Sequence, residues 1–184
     1  MMTREEALKL VEEKITTKNL IKHCLAVEAV MAALAKRFQQ DEAKWALAGL
    51  LHDIDYETTK DKPEQHSLLG AEMLQGLGVE AEIIQAIKVH NDMHHLARVS
   101  QMDKALFCAD PITGLIVAAT LVLPSKKIAD LTAENVLNRL KEKGFAKGAN
   151  REHIATCADL GLSLEEFVKI SLLAMQQVAN DLGL

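Results

Sequence analysis

Residues 45–51 read WALAGLL, seven positions with no charged or amide side chain, and the run ends directly on His52-Asp53. A surface helix carries an apolar stripe backed by polar residues, so a helix apolar on every side belongs in the middle of a bundle. The chain must therefore place an imidazole and a carboxylate at the edge of its own core. An unpaired buried charge costs on the order of several kcal/mol, so these two groups need partners, either a hydrogen-bonded turn or a metal ion.

The rest of the chain supplies a bundle for that helix. It has 184 residues, 49% of them hydrophobic, enough for one sizeable core. Aromatic residues make up 3%, and 9 glycines with 3 prolines are few turn formers, so composition favours an all-α fold over a β fold. Thr3 and Glu6 form a capping-box pattern ahead of ALKLVEEKI. Between 19 and 39, Leu20, His23, Val27, Val30, Met31 and Leu34 recur at three- and four-residue steps, which turns His23 inward. The spacing predicts a third helix over 41–55 and, after the polar loop YETTKDKPEQ, a fourth over 64–76. A further helix ends near His90, and another runs from Met102 to about Leu123 with an interruption at Pro111. Helices at 132–143, 150–160 and 163–182 complete the series, the last opened by a Ser163/Glu166 capping box. No repeat or low-complexity linker divides the chain, which reads as a single domain over 1–184.

His23, on an inward face one helix–helix connection before His52, can meet the His52-Asp53 pair if the two helices run antiparallel. Asp110 shares a face with Leu106, Thr113 and Val117 in an apolar segment. Because Pro111 follows it, Asp110 also reads as a helix N-cap, a role that leaves a second carboxylate oxygen for a ligand. His66 and His90 extend the set to six, enough for two metal ions bridged by Asp53. Mixed imidazole and carboxylate ligation suits Fe, Mn, Co, Zn or Ni better than Ca. His94, His95 and His153 read as surface or loop histidines, and Asp55 as a solvated turn carboxylate ahead of its other reading, a group that orients a ligand or water.

A net charge of −5 gives no electrostatic footprint for long nucleic acid or an anionic membrane. The segment 125–151 is nonetheless net positive and offers Lys126, Lys127 and Arg151 as cations for an anionic substrate. Cys24, Cys108 and Cys157 are odd in number, lack CxxC spacing and sit in apolar helical contexts, which fits a reducing compartment. The start MMTREEALKL has no apolar signal core, and the longest apolar run, GLIVAATLVL, is too short to span a bilayer. A cytoplasmic protein is expected. The apolar stretch FVKISLLAMQQVA serves either the core or a homodimer contact.

His23, then His52-Asp53 in GLLHDID, then Asp110 in ALFCADPITGLI, resembles the HD-domain superfamily of metal-dependent phosphohydrolases. KHCLAVEAVMAALA and HSLLGAEML are similar to bacterial proteins of the HDIG type. The resemblance covers roughly 19–123 and continues through PSKKIADL and NREHI, in a helical extension over about 124–184. It implies a helical core in which His23, His52, Asp53 and Asp110 hold one divalent transition metal. His66 and His90 match, by order, the extra histidines of two-metal members. The sequence departs from the pattern in reading HDID for HDIG and in placing Pro111 after the last aspartate. It lacks the GYP signature, which disfavours cyclic-dinucleotide hydrolysis. The resemblance implies hydrolysis of a nucleotide or other small phosphoester by a metal-activated water. Two other classes fit the same residues: a nucleotide-binding regulatory module with a structural metal, and a di-iron oxygenase.

Overall fold

The computed structural model describes residues 2–184. They form α1 (Arg4–Lys14), α2 (Lys18–Arg37), α3 (Glu42–Leu51), α4 (Tyr56–Thr59), α5 (Leu68–Gly76), α6 (Ala81–His90), α7 (Gln101–Leu121), α8 (Ala133–Lys141), α9 (Arg151–Ala155), α10 (Leu164–Gln177) and α11 (Ala179–Leu182). Three short 3₁₀ turns connect them, and no strand occurs among the described residues. The expected all-α fold is what the chain adopts.

α3 is the buried helix its sequence demands: Trp45, Leu47, Ala48, Leu50 and Leu51 are all inaccessible or nearly so. It lies tightly on α2 because of Gly49. A β-carbon there would stand 2.7 Å from the Val27 carbonyl oxygen and 2.8 Å from the Glu28 nitrogen, so only glycine permits this backbone approach. α2 contributes Val27, Val30, Met31 and Leu34 to the same core, and α7 contributes Leu106, Ile112, Leu115 and Ile116. Phe167, Val168 and Met175 of α10 close the far side.

Several boundaries differ from the sequence expectation. α3 stops at Leu51, and residues 52–55 form a turn, which lets His52 and Asp53 leave the helix direction together. α7 runs through Pro111 without a break. An internal proline costs about 3 kcal/mol, but burying each of Ile112, Leu115 and Ile116 returns about 1.5–3 kcal/mol, so packing holds the helix together. Asp110 is consequently mid-helix and not an N-cap. α5 begins at Leu68 because Ser67 takes φ 71°, outside the helical region. The expected helix at 150–160 is α9 followed by a 3₁₀ turn, and that at 163–182 breaks at Val178 into α10 and α11. The Thr3/Glu6 capping box is formed. At Ser163 half of the box is present, since the hydroxyl accepts from the Glu166 N–H while the Glu166 carboxylate pairs with Arg37 at 2.7 Å.

α7 is long and apolar enough to cross a membrane by length and composition alone, although its longest uninterrupted apolar run is short. Two thirds of its apolar window is nevertheless buried against the other helices, where it serves as the core helix that carries Asp110.

Candidate metal centre

The turn after α3 delivers His52 and Asp53 to a point where three other helices and one loop converge. His23 comes from α2, His66 from the loop before α5, His90 from the last position of α6 and Asp110 from the middle of α7. All six sequence-derived candidates lie in this one cluster.

Its geometry has two halves that share Asp53. On one side, His23 Nε2 is 3.2 Å from His52 Nε2, 3.1 Å from Asp110 Oδ1 and 3.6 Å from Asp53 Oδ2. His52 Nε2 is 3.4 Å from the same Asp53 oxygen. On the other side, Asp53 Oδ1 is 3.3 Å from His66 Nε2 and 3.7 Å from His90 Nε2. Donors each about 2.1 Å from one ion lie roughly 3–3.5 Å apart, which is the spacing found here.

The orientation of the rings makes the same point. His52 Nδ1–H donates to the Gly49 carbonyl at 2.8 Å and His90 Nδ1–H to the Ile87 carbonyl at 2.6 Å, each one turn back along its own helix. His66 Nδ1–H donates to Asp55 Oδ1 at 2.8 Å. His23 Nδ1–H donates to the Thr113 hydroxyl at 3.1 Å, and that hydroxyl donates onward to the Asp110 carbonyl at 2.8 Å. Each bond assigns the proton to Nδ1, leaving four Nε2 lone pairs aimed at the carboxylates. Four imidazole lone pairs and two carboxylates facing one another repel unless cations lie between them. The donor set therefore fits one or two divalent ions. Cys24 lies close by, but burial, reinforced by Asp53 and Asp110, pushes its thiol well above the ordinary value, so it is no thiolate ligand.

Without a metal, protons fill the same role. Burial pulls the His52 imidazolium down, but the charge and hydrogen bond of Asp53, with Asp110 behind it, prevail and raise it to about 9. His66 is likewise lowered by burial and lifted by Asp53 and Asp55, to about 10. Burial pushes Asp53 up, yet the charge of His52 and the bonds from His52, His66 and His90 hold it well below the usual carboxylate range. Asp110 is lowered too, its burial offset by His23.

A family model of the HD domain matches residues 20–142, a stretch that contains every member of the cluster. The chain belongs to the HD domain family. The chain is 28% identical over 141 residues to a Ribonuclease Y of Oleidesulfovibrio alaskensis, covering 74% of the chain and 26% of that relative. It is 33% identical over 76 residues to a Ribonuclease Y of Nitratidesulfovibrio vulgaris, covering 41% of the chain and 15% of the relative. A Ribonuclease Y of Desulforudis audaxviator is 27% identical over 140 residues, 73% of the chain and 26% of the relative. The chain thus spans about a quarter or less of the length of these relatives.

The HD domain keeps Asp110 in place despite Pro111, since its Oδ1 stands at the first half of the centre. The substrate-binding cations expected from sequence do not gather there. Arg151 is the clearest correction: its guanidinium donates to the carbonyls of Ala146 and Ala149 at 2.7 Å, and also to those of Phe145, Glu142 and Arg139. Its two terminal nitrogens are spent on the end of α8 and the loop that follows it. Lys126 and Lys127 lie exposed beyond α7, and among the described residues no hydrogen bond or ion pair joins them to the cluster.

Asp55 is not the solvated turn carboxylate its sequence favours but takes its other reading, orienting a candidate ligand. It is fully buried, accepting from His66 through one oxygen and from the Gly70 N–H at 2.8 Å through the other. His94, in the turn between α6 and α7 as expected of a surface or loop histidine, bonds through Nε2 to the His66 carbonyl at 2.7 Å, and Asn91 Nδ2 donates to that carbonyl at 3.1 Å. His153 stacks on Phe107 with ring centroids 4.2 Å apart. The spacing Asp53-x-Asp55 was the one sequence signal for the Asp55 role. Asn91 carried none beyond its place next to His90.

Proposed function

We propose that this chain is a metal-dependent phosphohydrolase acting on a nucleotide or other small phosphoester. The observation that carries the reading is Asp53, whose two oxygens face two separate sets of histidine Nε2 atoms. His23, His52, Asp110 and Asp53 Oδ2 would hold one ion, and His66, His90 and Asp53 Oδ1 a second, drawn from Fe, Mn, Co, Zn or Ni. A divalent ion supplies Lewis acidity and an activated water at neutral pH. The chain itself fixes the tautomers through Thr113, Gly49, Asp55 and Ile87, so that no ligand has to reorient when phosphate arrives. His23 and Asp110 are the most exposed members of the first half, at 25% and 36%, while His52 is closed off, so a phosphate group approaches past His23 and Asp110.

The net charge supports a small substrate over a long polyanion, and three buried cysteines fit a reducing, cytoplasmic setting. The name Ribonuclease Y borne by the relatives supports a second substrate class, the RNA phosphodiester. Elemental mass spectrometry on protein purified without chelator, beside Asp53→Ala, tests the centre. One to two transition-metal ions per chain, lost in the variant, with phosphate or nucleotide release from a panel of mononucleotides, dinucleotides and short RNA, is the expected result. No metal after reloading with all five ions overturns it. Metal and nucleotide binding without turnover would favour the regulatory module, and a coloured, oxygen-sensitive protein releasing no phosphate would favour the di-iron oxygenase.

A further inference from the structure

Asp55 holds the ring of His66, but the backbone of that residue needs an anchor of its own. In a continuous helix the Gly70 N–H would bond the His66 carbonyl four residues back. Here Ser67 takes φ 71° and the Gly70 N–H goes to Asp55 at 2.8 Å, so α5 leaves that carbonyl without its helical donor. Two side chains at the turn after α6 replace it, Asn91 through Nδ2 at 3.1 Å and His94 through Nε2–H at 2.7 Å, and both lone pairs are taken. Asn91 Nδ2 also donates to the Pro63 carbonyl at 3.1 Å, and Ser67 Oγ to the Lys88 carbonyl at 3.0 Å. The loop carrying His66 is thus stitched at three residues to the end of the helix carrying His90.

The turn is fastened in its own right. Arg98 donates through Nη1 to the Val89 carbonyl at 3.3 Å, an acceptor in the last turn of α6 that has no intrahelical donor, and through Nη2 to Asp92 Oδ1 at 2.7 Å. Its guanidinium carbon lies 3.5 Å from the centre of the Phe107 ring of α7, and the same ring packs against His153 of α9 at 4.2 Å. His153 Nε2 in turn stands 3.7 Å from Asp92 Oδ2. Arg98, Phe107, His153 and Asp92 therefore close a cycle that joins the turn to two helices, one of them in the C-terminal extension. None of the four is a candidate ligand.

We infer that the turn 91–94 is the positioning element of the second half of the centre: Asn91 and His94 act through the His66 backbone to set His66 against His90, and Arg98 with His153 keeps the turn in place. The inference rests on the two-ion reading and adds the residues on which the second ion depends. His66 and His90 approach one oxygen, Asp53 Oδ1, from 3.3 and 3.7 Å. A metal site tolerates ligand distances only within about 0.2 Å of their preferred values, so a small shift of the His66 loop removes a ligand. His23 and His52 are fixed instead by Thr113 and the Gly49 carbonyl, so the loss should fall on one ion and spare the other.

Titration of the metal-free protein with cobalt(II), followed by calorimetry and by visible absorption below the melting temperature, tests this on wild type and five variants. Asn91→Asp keeps the acceptor that caps the Met93 N–H at 3.1 Å but turns an oxygen towards two carbonyls. Its second ion is expected to bind about 10–100-fold more weakly, with the first bound as in wild type. His94→Phe, which keeps a ring but no donor, should lose affinity in the same sense, and His94→Gln, whose amide can donate to the same carbonyl, should recover most of it. Arg98→Met and His153→Ala should each weaken the second ion by about fivefold, the equivalent of one modest hydrogen bond. A second ion bound by Asn91→Asp as in wild type, equal behaviour of the two His94 variants, or equal weakening of both ions overturns the positioning role, while two ions in the wild type leave the centre standing. A second ion undisturbed in both Arg98→Met and His153→Ala overturns the anchoring. A wild type that takes up one ion or none overturns the two-ion reading and the inference with it.

Discussion

Asp55 holds His66 from behind: its Oδ1 lies 2.8 Å from His66 Nδ1, while its second oxygen accepts the Gly70 N–H at 2.8 Å. The carboxylate thus locks both the tautomer of a candidate ligand and the start of α5. The backbone on either side is set for it, with Ser67 at φ 71° and Asn91 and His94 bonding the His66 carbonyl. In Asp55→Asn one end of the amide can still accept from Gly70, but its NH₂ then confronts a ring N–H. His66 should switch tautomer and turn a proton towards Asp53. Loss of such an outer partner typically costs about 10–100-fold in metal affinity. Metal titration should show the half at His66 and His90 weakened by that factor, with the half at His23, His52 and Asp110 retained. Equal weakening of both halves would contradict separate roles for the two Asp53 oxygens.

Gly49 governs how closely α2 and α3 approach, and with it the distance between His23 and His52. A methyl group placed 2.7 Å from the Val27 carbonyl must push the helices apart. Gly49→Ala should lose about 1–3 kcal/mol in urea denaturation, the usual range for overpacking. It should also lose metal, because the 3.2 Å separation of the two Nε2 atoms spans that same interface. A variant destabilised but fully metallated would show that the centre adjusts independently of the helix pair.

Acid sensitivity should trace partly to Glu57. Its carboxylate accepts from the backbone N–H of Thr16 and Thr17 and from the Thr16 hydroxyl, and these bonds lower it from 4.5 to about 2. A carboxylate with a depressed folded value stabilises fully above its unfolded value and loses that contribution as pH falls through the folded one. Stability should therefore decline between about pH 4.5 and about pH 2. Glu57→Gln should be less stable at neutral pH, with a flatter profile across that window. Identical slopes in thermal melts of the two proteins would remove Glu57 from the acid response.

What could be read in advance followed from local pattern. The run before His52 declared α3 buried, and the three- and four-residue rhythm around His23 turned that ring inward. The order of His and Asp residues matched a known ligand set. What could not be read depends on partners distant in sequence or on backbone atoms that leave no mark. Asp55 looks like a turn carboxylate until Gly70 and His66 fold over it. Pro111 looks like a helix break until burial of its neighbours outweighs its missing N–H.

Arg151 illustrates that second kind and yields a prediction opposite to the one its charge suggests. In a net-positive segment it reads as a substrate cation, yet the structure spends its donors on five carbonyls of residues 139–149. Those carbonyls converge because the loop turns back on itself, with Ala146 at φ 43°. Buried Nε is left without a partner, so the guanidinium is not perfectly served, but its terminal nitrogens reach all five carbonyls. Hydrogen bonds to charged groups contribute about 1.5–3 kcal/mol each, and they overlap here, so Arg151→Ala should cost about 2–4 kcal/mol. Arg151→Lys should recover only part of that, because an ammonium cannot reproduce the planar fork. Metal content and the KM for a phosphoester should stay near wild type in both variants below their melting temperatures. A KM raised tenfold in a folded, fully metallated Arg151→Lys would return this arginine to the substrate and remove it from the loop.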